Sequence, residues 1–471
     1  MNPMIRITAS AAAAGFATLA VAGPVPTPVD VIITEGQALA GDTVDIINEV
    51  VATPGGTVGF TGSLLASGDR FVWSGTGPII FNSDYKQLVT GAEGSMGVGD
   101  AGGSIYSPAV DGNDSVIING TEIISKTQPS FDGVPGFITF CSRPQMTGGG
   151  IAHWISGYND TDPNGGSQAR VLYRWENGAV TAVQVAGDPF MYEGTQFFVG
   201  PGSGVDFDYG ISPDGSQRIQ AIDTTAPTAN DGFVLINGVG TYREDDPIPG
   251  EEENWDNFDL FRIDDAGNHA FTGDTNGPGA TDEFVAYNGQ IVVRSGDMIG
   301  GEMIPDSATL RGLDLSNDGG ILHAWGTTSF EILFVGDTSN VAATSQKIVA
   351  WGDVLDTDGD GLGDVTVIDI EASTVGGSGG AVIDGTSVYV NLEVENDAAE
   401  TFEIIARFDR PDVSNPCFGD LDGDGEVGFT DLTALLAAWG DVGMSVADLN
   451  GDMVVNFSDL TALLSAYGPC V

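Results

Sequence analysis

Near the carboxyl end one acidic loop-and-helix unit is written twice. Asp420-Leu-Asp-Gly-Asp-Gly-Glu-Val-Gly-Phe-Thr-Asp431 runs into Leu432-Thr-Ala-Leu-Leu-Ala-Ala-Trp-Gly440, and 28 residues on Asp448-Leu-Asn-Gly-Asp-Met-Val-Val-Asn-Phe-Ser-Asp459 runs into Leu460-Thr-Ala-Leu-Leu-Ser-Ala-Tyr-Gly468. Oxygen-bearing side chains stand at loop positions 1, 3, 5 and 12: Asp420, Asp422, Asp424 and Asp431, then Asp448, Asn450, Asp452 and Asp459. Carboxylates gathered within a few ångströms repel strongly unless a divalent cation sits among them, so this spacing predicts bound calcium. Position 7 (Glu426, Val454) is expected to give its backbone carbonyl, and position 9 (Gly428, Asn456) to act through water or an amide oxygen. Val427 and Val455 at position 8 are apolar, as two loops paired back to back require.

Each loop leads into a short amphipathic stretch. Leu432, Leu435, Leu436 and Trp439 fall on one helical stripe, and Leu460, Leu463, Leu464 and Tyr467 repeat it. Gly440 and Gly468 stand where a helix end favours positive φ. Helices this short do not persist alone in water, so the two must pack on each other and on their loops. Cys417 and Cys470 bracket the unit; a bridge between them would close a loop of roughly fifty residues and contribute about 4 kcal/mol on the chain-entropy model.

Over residues 417–470 the chain resembles the type I dockerins, most closely the GC-type dockerin domains at the C-termini of secreted bacterial proteins. The resemblance implies a small all-α domain with paired EF-hand-like loops, folded by calcium, that docks into a cohesin-type receptor as in cellulosome-like assemblies. Phe429-Thr430 and Phe457-Ser458 stand at the positions that contact the cohesin in that family, where a hydroxyl pair is usual. Met453 occupies position 6 of the second loop, where Gly425 serves the first.

The opposite end reads as a secretory leader. One positive charge at Arg6, an apolar run and Ala20-Val-Ala22 predict cleavage after Ala22, and Gly23-Pro-Val-Pro26 stops the run at once. A formal net charge of -52, from 15 basic against 67 acidic residues, excludes non-specific binding to nucleic acid or anionic membranes. It suits a secreted, extracellular or cell-surface protein in a salty, calcium-containing medium, where screening limits self-repulsion.

Between these ends, 69 glycines are too many for a helical body. Residues 258–297 show a clean unit: four short β-runs, the last two joined at Asn288-Gly289. Its glycine and the aromatic four residues on, Gly267 and Phe271, recur as Gly56 and Phe60, Gly102 and Tyr106, and Gly150 and Trp154. Looser copies are Gly215 with Ile219, Gly320 with Trp325, and Gly379 with Ile383. Hairpins recur at Asn119-Gly120, Asn177-Gly178 and Asn237-Gly238. The last copy lacks an outer strand after Phe402–Phe408, and Val29–Ile33 can supply it. A first strand that completes the last repeat closes a β-propeller. The expected fold is therefore mainly β, a propeller with seven blades favoured, followed by the small α domain. A six- or eight-bladed ring or a β-sandwich pair also suits the irregular glycine spacing. The expected division is a leader at 1–22, a ring at 23–408, a linker at 409–416 and the dockerin-like unit at 417–471. The ring also resembles the NxxGxxxF-type tandem repeats of secreted bacterial proteins, a likeness that implies a shape and no chemistry.

One further acidic loop, Asp356-Thr-Asp358-Gly-Asp360-Gly-Leu-Gly-Asp364, matches a calcium loop through its first nine positions. Position 12 is Val367, so a closing ligand must come from elsewhere, with Asp369 the nearest candidate. His153, His269 and His323 read as ordinary half-buried strand positions, and Cys141 as a buried free thiol. No His-Glu-x-x-His or phosphate loop occurs. Three functions compete: a non-catalytic displayed propeller, a polysaccharide-degrading hydrolase or lyase (or a carbohydrate-binding component of such a complex), and a structural or adhesive protein.

Overall fold

The computed structural model describes residues 26–53, 55–73, 79–81, 96–107, 109–110, 113–200, 208–224, 230–371, 380–411, 419, 421, 426–440, 447, 449, 454–465 and 467–469. Its basic unit is a hairpin whose turn recurs six times. Gly56, Gly102, Gly150, Gly215, Gly267 and Gly319 have φ between +76° and +88°, and each donates its N–H to the carbonyl three residues back, of Thr53, Gly99, Thr147, Ser212, Asp264 and Ser316. An L side chain in that conformation costs roughly 1–2 kcal/mol, so glycine is required. Where the residue three back carries a side-chain oxygen, it takes an N–H just past the turn: Thr53 from Thr57, Thr147 from Ile151, Ser212 from Gln217, Asp264 from Asn268, Ser316 from Gly320.

The sixth turn corrects the sequence reading by one residue. Its left-handed glycine is Gly319, so the place of Phe60, Tyr106, Trp154, Ile219 and Phe271 falls to His323, and Trp325 lies two residues beyond. All four Asn-Gly pairs, at 119–120, 177–178, 237–238 and 288–289, have positive φ at both residues, as the expected hairpins need.

Six sheets of four or five strands follow one another among the described residues. Their innermost strands are Asp42–Ala52, Met96–Val98, Phe137–Met146, Tyr209–Ile211, Phe261–Ile263 and Thr309–Leu315. These are six blades of a β-propeller arrangement. A seven-stranded sheet made from both ends of the ring closes it. There Ser387–Asn396 pairs with Thr401–Asp409, which pairs antiparallel with Asp30–Thr34, Ile33 lying opposite Ile405. The N-terminal strand thus lies where the sequence led us to expect it. Seven equal blades, however, are corrected to six. The closing sheet turns its hairpin at Gly385 and carries Val365–Ile370 and Val354–Asp356 on its far edge. Gly379, counted as the seventh repeat glycine, lies outside the described residues.

Apolar clusters between neighbouring sheets hold the ring. Trp154 and Tyr173 of the third blade pack with Ile105, Val116 and Ile118 of the second, while Ile155 and Leu172, on the other face of the same strands, pack with Ile222, Phe233 and Leu235 of the fourth. This alternation is the period of two expected of strands buried on both faces. Ile33, Val382, Tyr389 and Ile405 of the closing sheet join Val44, Ile47 and Phe60 of the first blade, completing the circle.

Near the carboxyl end, helices Phe429–Ala437 and Phe457–Ser465 are present, and Glu426–Val427 pairs with Gly468–Pro469. Val427, Leu435, Ala447, Val455 and Leu463 form their core. No helix among the described residues is long and apolar enough to cross a membrane.

Candidate functional site

Of the predicted C-terminal ligands, Asp420, Asp422, Asp424, Asp448, Asn450 and Asp452 lie outside the described residues, as do Cys417 and Cys470. The two position-12 carboxylates are described, and both are fully buried. Asp431 reaches from the first turn of its helix back across the loop: one oxygen accepts the N–H of Leu421 at loop position 2, the other that of Gly428 at position 9, each at 2.6 Å. Asp459 likewise accepts the position-9 N–H of Asn456 at 2.7 Å. A carboxylate desolvated this way and turned toward its own loop fits the closing ligand of a hard-cation cage. Val427 and Val455 are buried, as back-to-back loops require.

Outside the core, the two copies expose matching apolar sets. Phe429 and Phe457 are 74% and 71% exposed, and Leu436 with Leu464 and Trp439 with Tyr467 are exposed in pairs. Thr430 and Ser458 are exposed as well.

In the closing sheet, carboxylate oxygens of Asp356, Asp358 and Asp364 lie within 4.8 Å of one another. Positive φ at Gly359 and Gly361 lets the loop fold over Asp356, whose oxygens accept both glycine N–H groups at 2.7 and 2.9 Å. Hydrogen bonds from Thr357 hold Asp364 below its ordinary value. Asp360 is not part of the trio; its carboxylate accepts the N–H of Leu362 instead. Nor does Asp369 close the loop, because it hydrogen-bonds the carboxyl of Glu331. The trio suits a hard cation by donor chemistry, with fewer protein ligands than the linear spacing suggested.

The histidines divide. His323 is fully buried, its Nε2 paired with Ser345 Oγ at 2.9 Å and its Nδ1 accepting from Trp325 Nε1 at 2.8 Å. Burial pushes it down to about 3, so it is neutral. His269 contacts Tyr242 Oη at 2.8 Å and the Gly267 carbonyl at 3.2 Å. His153 is buried too, but its Nδ1 has no partner. Cys141 is a buried free thiol, pushed up to about 12 by burial.

Innermost strands from all the sheets face an open cavity of about 140 Å³, whose polar wall includes Thr53, Gln145, His153, Arg262, Asp314 and Ser316. Arg262 Nε donates to Asp314 at 3.0 Å, and the other Asp314 oxygen accepts the Ile383 N–H at 2.9 Å, tying two blades to the closing sheet.

A set of carboxyl groups escaped the sequence reading. Glu283, Glu331 and Glu403 sit at or near the start of the third strand in three successive sheets. Each accepts a backbone N–H from the next sheet: Leu310 at 2.8 Å, Ile370 at 2.6 Å, Ile47 at 2.5 Å. Burial, then the hydrogen bonds that the protonated carboxyls donate to Asp274 and Asp369, push Glu283 and Glu331 up to about 8. These are acid pairs spent on latching neighbouring sheets. A Glu one to three residues into the third strand of three successive units, at 283, 331 and 403, is the signal that could have revealed them.

No family model and no curated protein matches the chain. Among solved structures, it is similar to a chain of Kuenenia stuttgartiensis hydrazine synthase at 12% identity, over 77% of this chain and 99% of that one, with a TM-score of 0.39. YCF48 bound to D1 peptide is similar at 11% identity over 82% and 99%, TM-score 0.35, and TolB from Acinetobacter baumannii at 11% over 77% and 79%, TM-score 0.30.

Proposed function

We propose that the chain is an exported β-propeller protein without catalytic activity, fastened by a calcium-loaded dockerin-like unit to a cohesin-type or other cell-surface receptor. The supporting observation is twofold repetition: two buried position-12 carboxylates, Asp431 and Asp459, each turned toward its own loop, beneath two matching exposed apolar sets. Calcium supplies the positive charge that lets several carboxylates share one loop. The chain's own residues do the rest. Asp431 and Asp459 fix the starts of the helices, Val427 and Val455 pack the loops together, and Phe429 and Phe457 offer aromatic contacts of the kind that anchor interfaces. The acidic loop at Asp356, Asp358 and Asp364 takes the same ion and stiffens the connector into the closing sheet.

The test is affinity capture with the full secreted chain as bait. Capture of one surface receptor in calcium, lost in chelator and in the Phe429→Ala, Phe457→Ala double variant, is the expected result. Equal capture without calcium would remove the tethering role. Incubation with a panel of polysaccharides separates the other readings, since new reducing ends or unsaturated products would replace the non-catalytic reading with a hydrolase or lyase.

A further inference from the structure

The facing surfaces of the third and fourth blades change character along their length. Toward one end Ile155 and Leu172 meet Ile222, Phe233 and Leu235 in a dry apolar cluster. Two residues from Ile155 on the same strand face comes His153, and two from Leu172 comes Arg174; these two are cross-strand partners. From the fourth blade, Gln220 and Arg218 lie two and four residues from Ile222 on its face. Strand alternation thus aims all four side chains into the space between the blades, beside the axial cavity that His153 lines.

Each of the four carries a buried polar atom without a hydrogen-bond partner. Gln220 is fully buried, yet neither its amide nitrogen nor its oxygen has a hydrogen-bond partner. His153 is 3% exposed and its Nδ1 is unpartnered. The Nε groups of Arg174 and Arg218 are buried without acceptors. A buried polar group without a partner has given up its hydration for nothing, so four together call for an explanation. The other two histidines show what satisfaction looks like, each holding partners at both ring nitrogens.

Charge says which kind of ligand such a set would take. In a chain with 67 acids and 15 bases, Arg143, Arg262, Arg294, Arg407 and Arg410 all have carboxylate partners. Arg218 has none within ion-pair distance among the described residues, and Arg174 has only Glu176 on its own strand. Both guanidinium charges act on the His153 ring, which burial and these charges push down to about 3, so the ring is neutral and can donate one N–H. Two cations, an amide and a neutral imidazole, with Glu176 on Arg174 the one acid paired to them among the described residues, are the donor set of an oxyanion site.

We propose that the space between the third and fourth blades, bounded by His153, Arg174, Arg218 and Gln220, binds a small oxyanion, the carboxylate or sulfate group of an acidic ligand entering from the axial cavity. The inference is independent of the C-terminal tether. It would give a strongly acidic protein one place of opposite sign, where selection of an acidic ligand rests on local donors against a repulsive overall field.

The test uses the full chain with histidine ring nitrogens labelled, titrated separately with sodium sulfate, sodium glucuronate and, as an uncharged control, glucose. Sulfate or glucuronate is expected to shift the His153 ring signals saturably at about one per chain, with glucose silent. Tighter binding of glucuronate points to a carboxylate on an organic ligand, tighter binding of sulfate to a sulfate group, and either supports the site. Arg218→Gln should weaken binding at least about tenfold, and Arg218→Lys, which keeps the charge but not the fork, by less. Gln220→Leu should reduce affinity without lowering the melting temperature, because it removes a buried amide that has no protein partner. Absence of any saturable His153 shift in the parent protein up to about 0.1 M of either anion, well above a millimolar constant, would overturn the proposal whatever the variants do. So would an Arg218→Gln protein that folds and binds as tightly as the parent.

Discussion

Among the described residues, the ring buries thirteen apolar side chains between its second and third blades, including Trp154 and Tyr173, whereas the C-terminal unit buries five, the largest of them leucine. At about 25 cal/mol for each Å² of apolar surface removed from water, one interblade layer outweighs that whole small core. The lesson is that the ring is held by area, repeated around a circle, while the described part of the C-terminal unit has far less of it. The repeated acidic loops and the buried Asp431 and Asp459 are what the calcium proposed above rests on.

Chelation is the sharpest way to break that contrast. Removing calcium from the full chain should abolish the signal of both C-terminal helices and leave the ring's β-sheet signal intact; circular dichroism and backbone NMR report the two parts separately. Asp431→Ala should do the same at high calcium. Helices that persist unchanged in chelator would mean that the five-residue core suffices.

Next in size, Trp154→Ala should cost roughly 3–5 kcal/mol, lowering the ring's thermal midpoint while the calcium response of the helices stays as it was. A pH series probes the ring without mutation. Glu283 and Glu331 hold a proton in the folded state up to about 8, against an ordinary 4.5, so the folded ring binds more protons across that window. Stability contributed by the protonated latches is therefore present at low pH and is lost as pH rises through 8. The melting temperature at fixed calcium should be lower at pH 9 than at pH 6, and Glu331→Gln should flatten the slope. The smallest effect is expected from Gly150→Ala: φ is +81° and an added Cβ meets nothing within 4 Å, so the backbone alone sets a cost of about 1 kcal/mol.

Much of the ring was legible because its turns are chemically forced. Asn-Gly hairpins and left-handed glycines leave residue signatures, and five of the six turn glycines were placed correctly. Gly319 and Gly320 adjoin, and only the folded backbone, with its left-handed φ at Gly319 and its hydrogen bond to Ser316, tells which one turns. The seventh unit misled for a different reason: Ile383 does lie on a strand of the closing sheet, but that sheet recruits strands from both ends of the ring and has no fixed repeat length. Linear spacing also could not tell which acids of the loop gather, since Asp356, Asp358 and Asp364 come together while Asp360 and Asp369 are held by other hydrogen bonds. Least visible were the oxyanion donors. His153, Arg174, Arg218 and Gln220 come from two blades, and nothing in one dimension says that they face each other.

Strand Asp30–Thr34 finds its place only against Thr401–Asp409, so one of the earliest strands made must wait for one of the last. Contacts of such long sequence separation are slow to form. A ribosome releasing this chain would therefore hand over an open arc, its apolar faces between the first blade and the closing sheet still wet, and a truncation anywhere before residue 401 would leave that arc with no means of joining its ends.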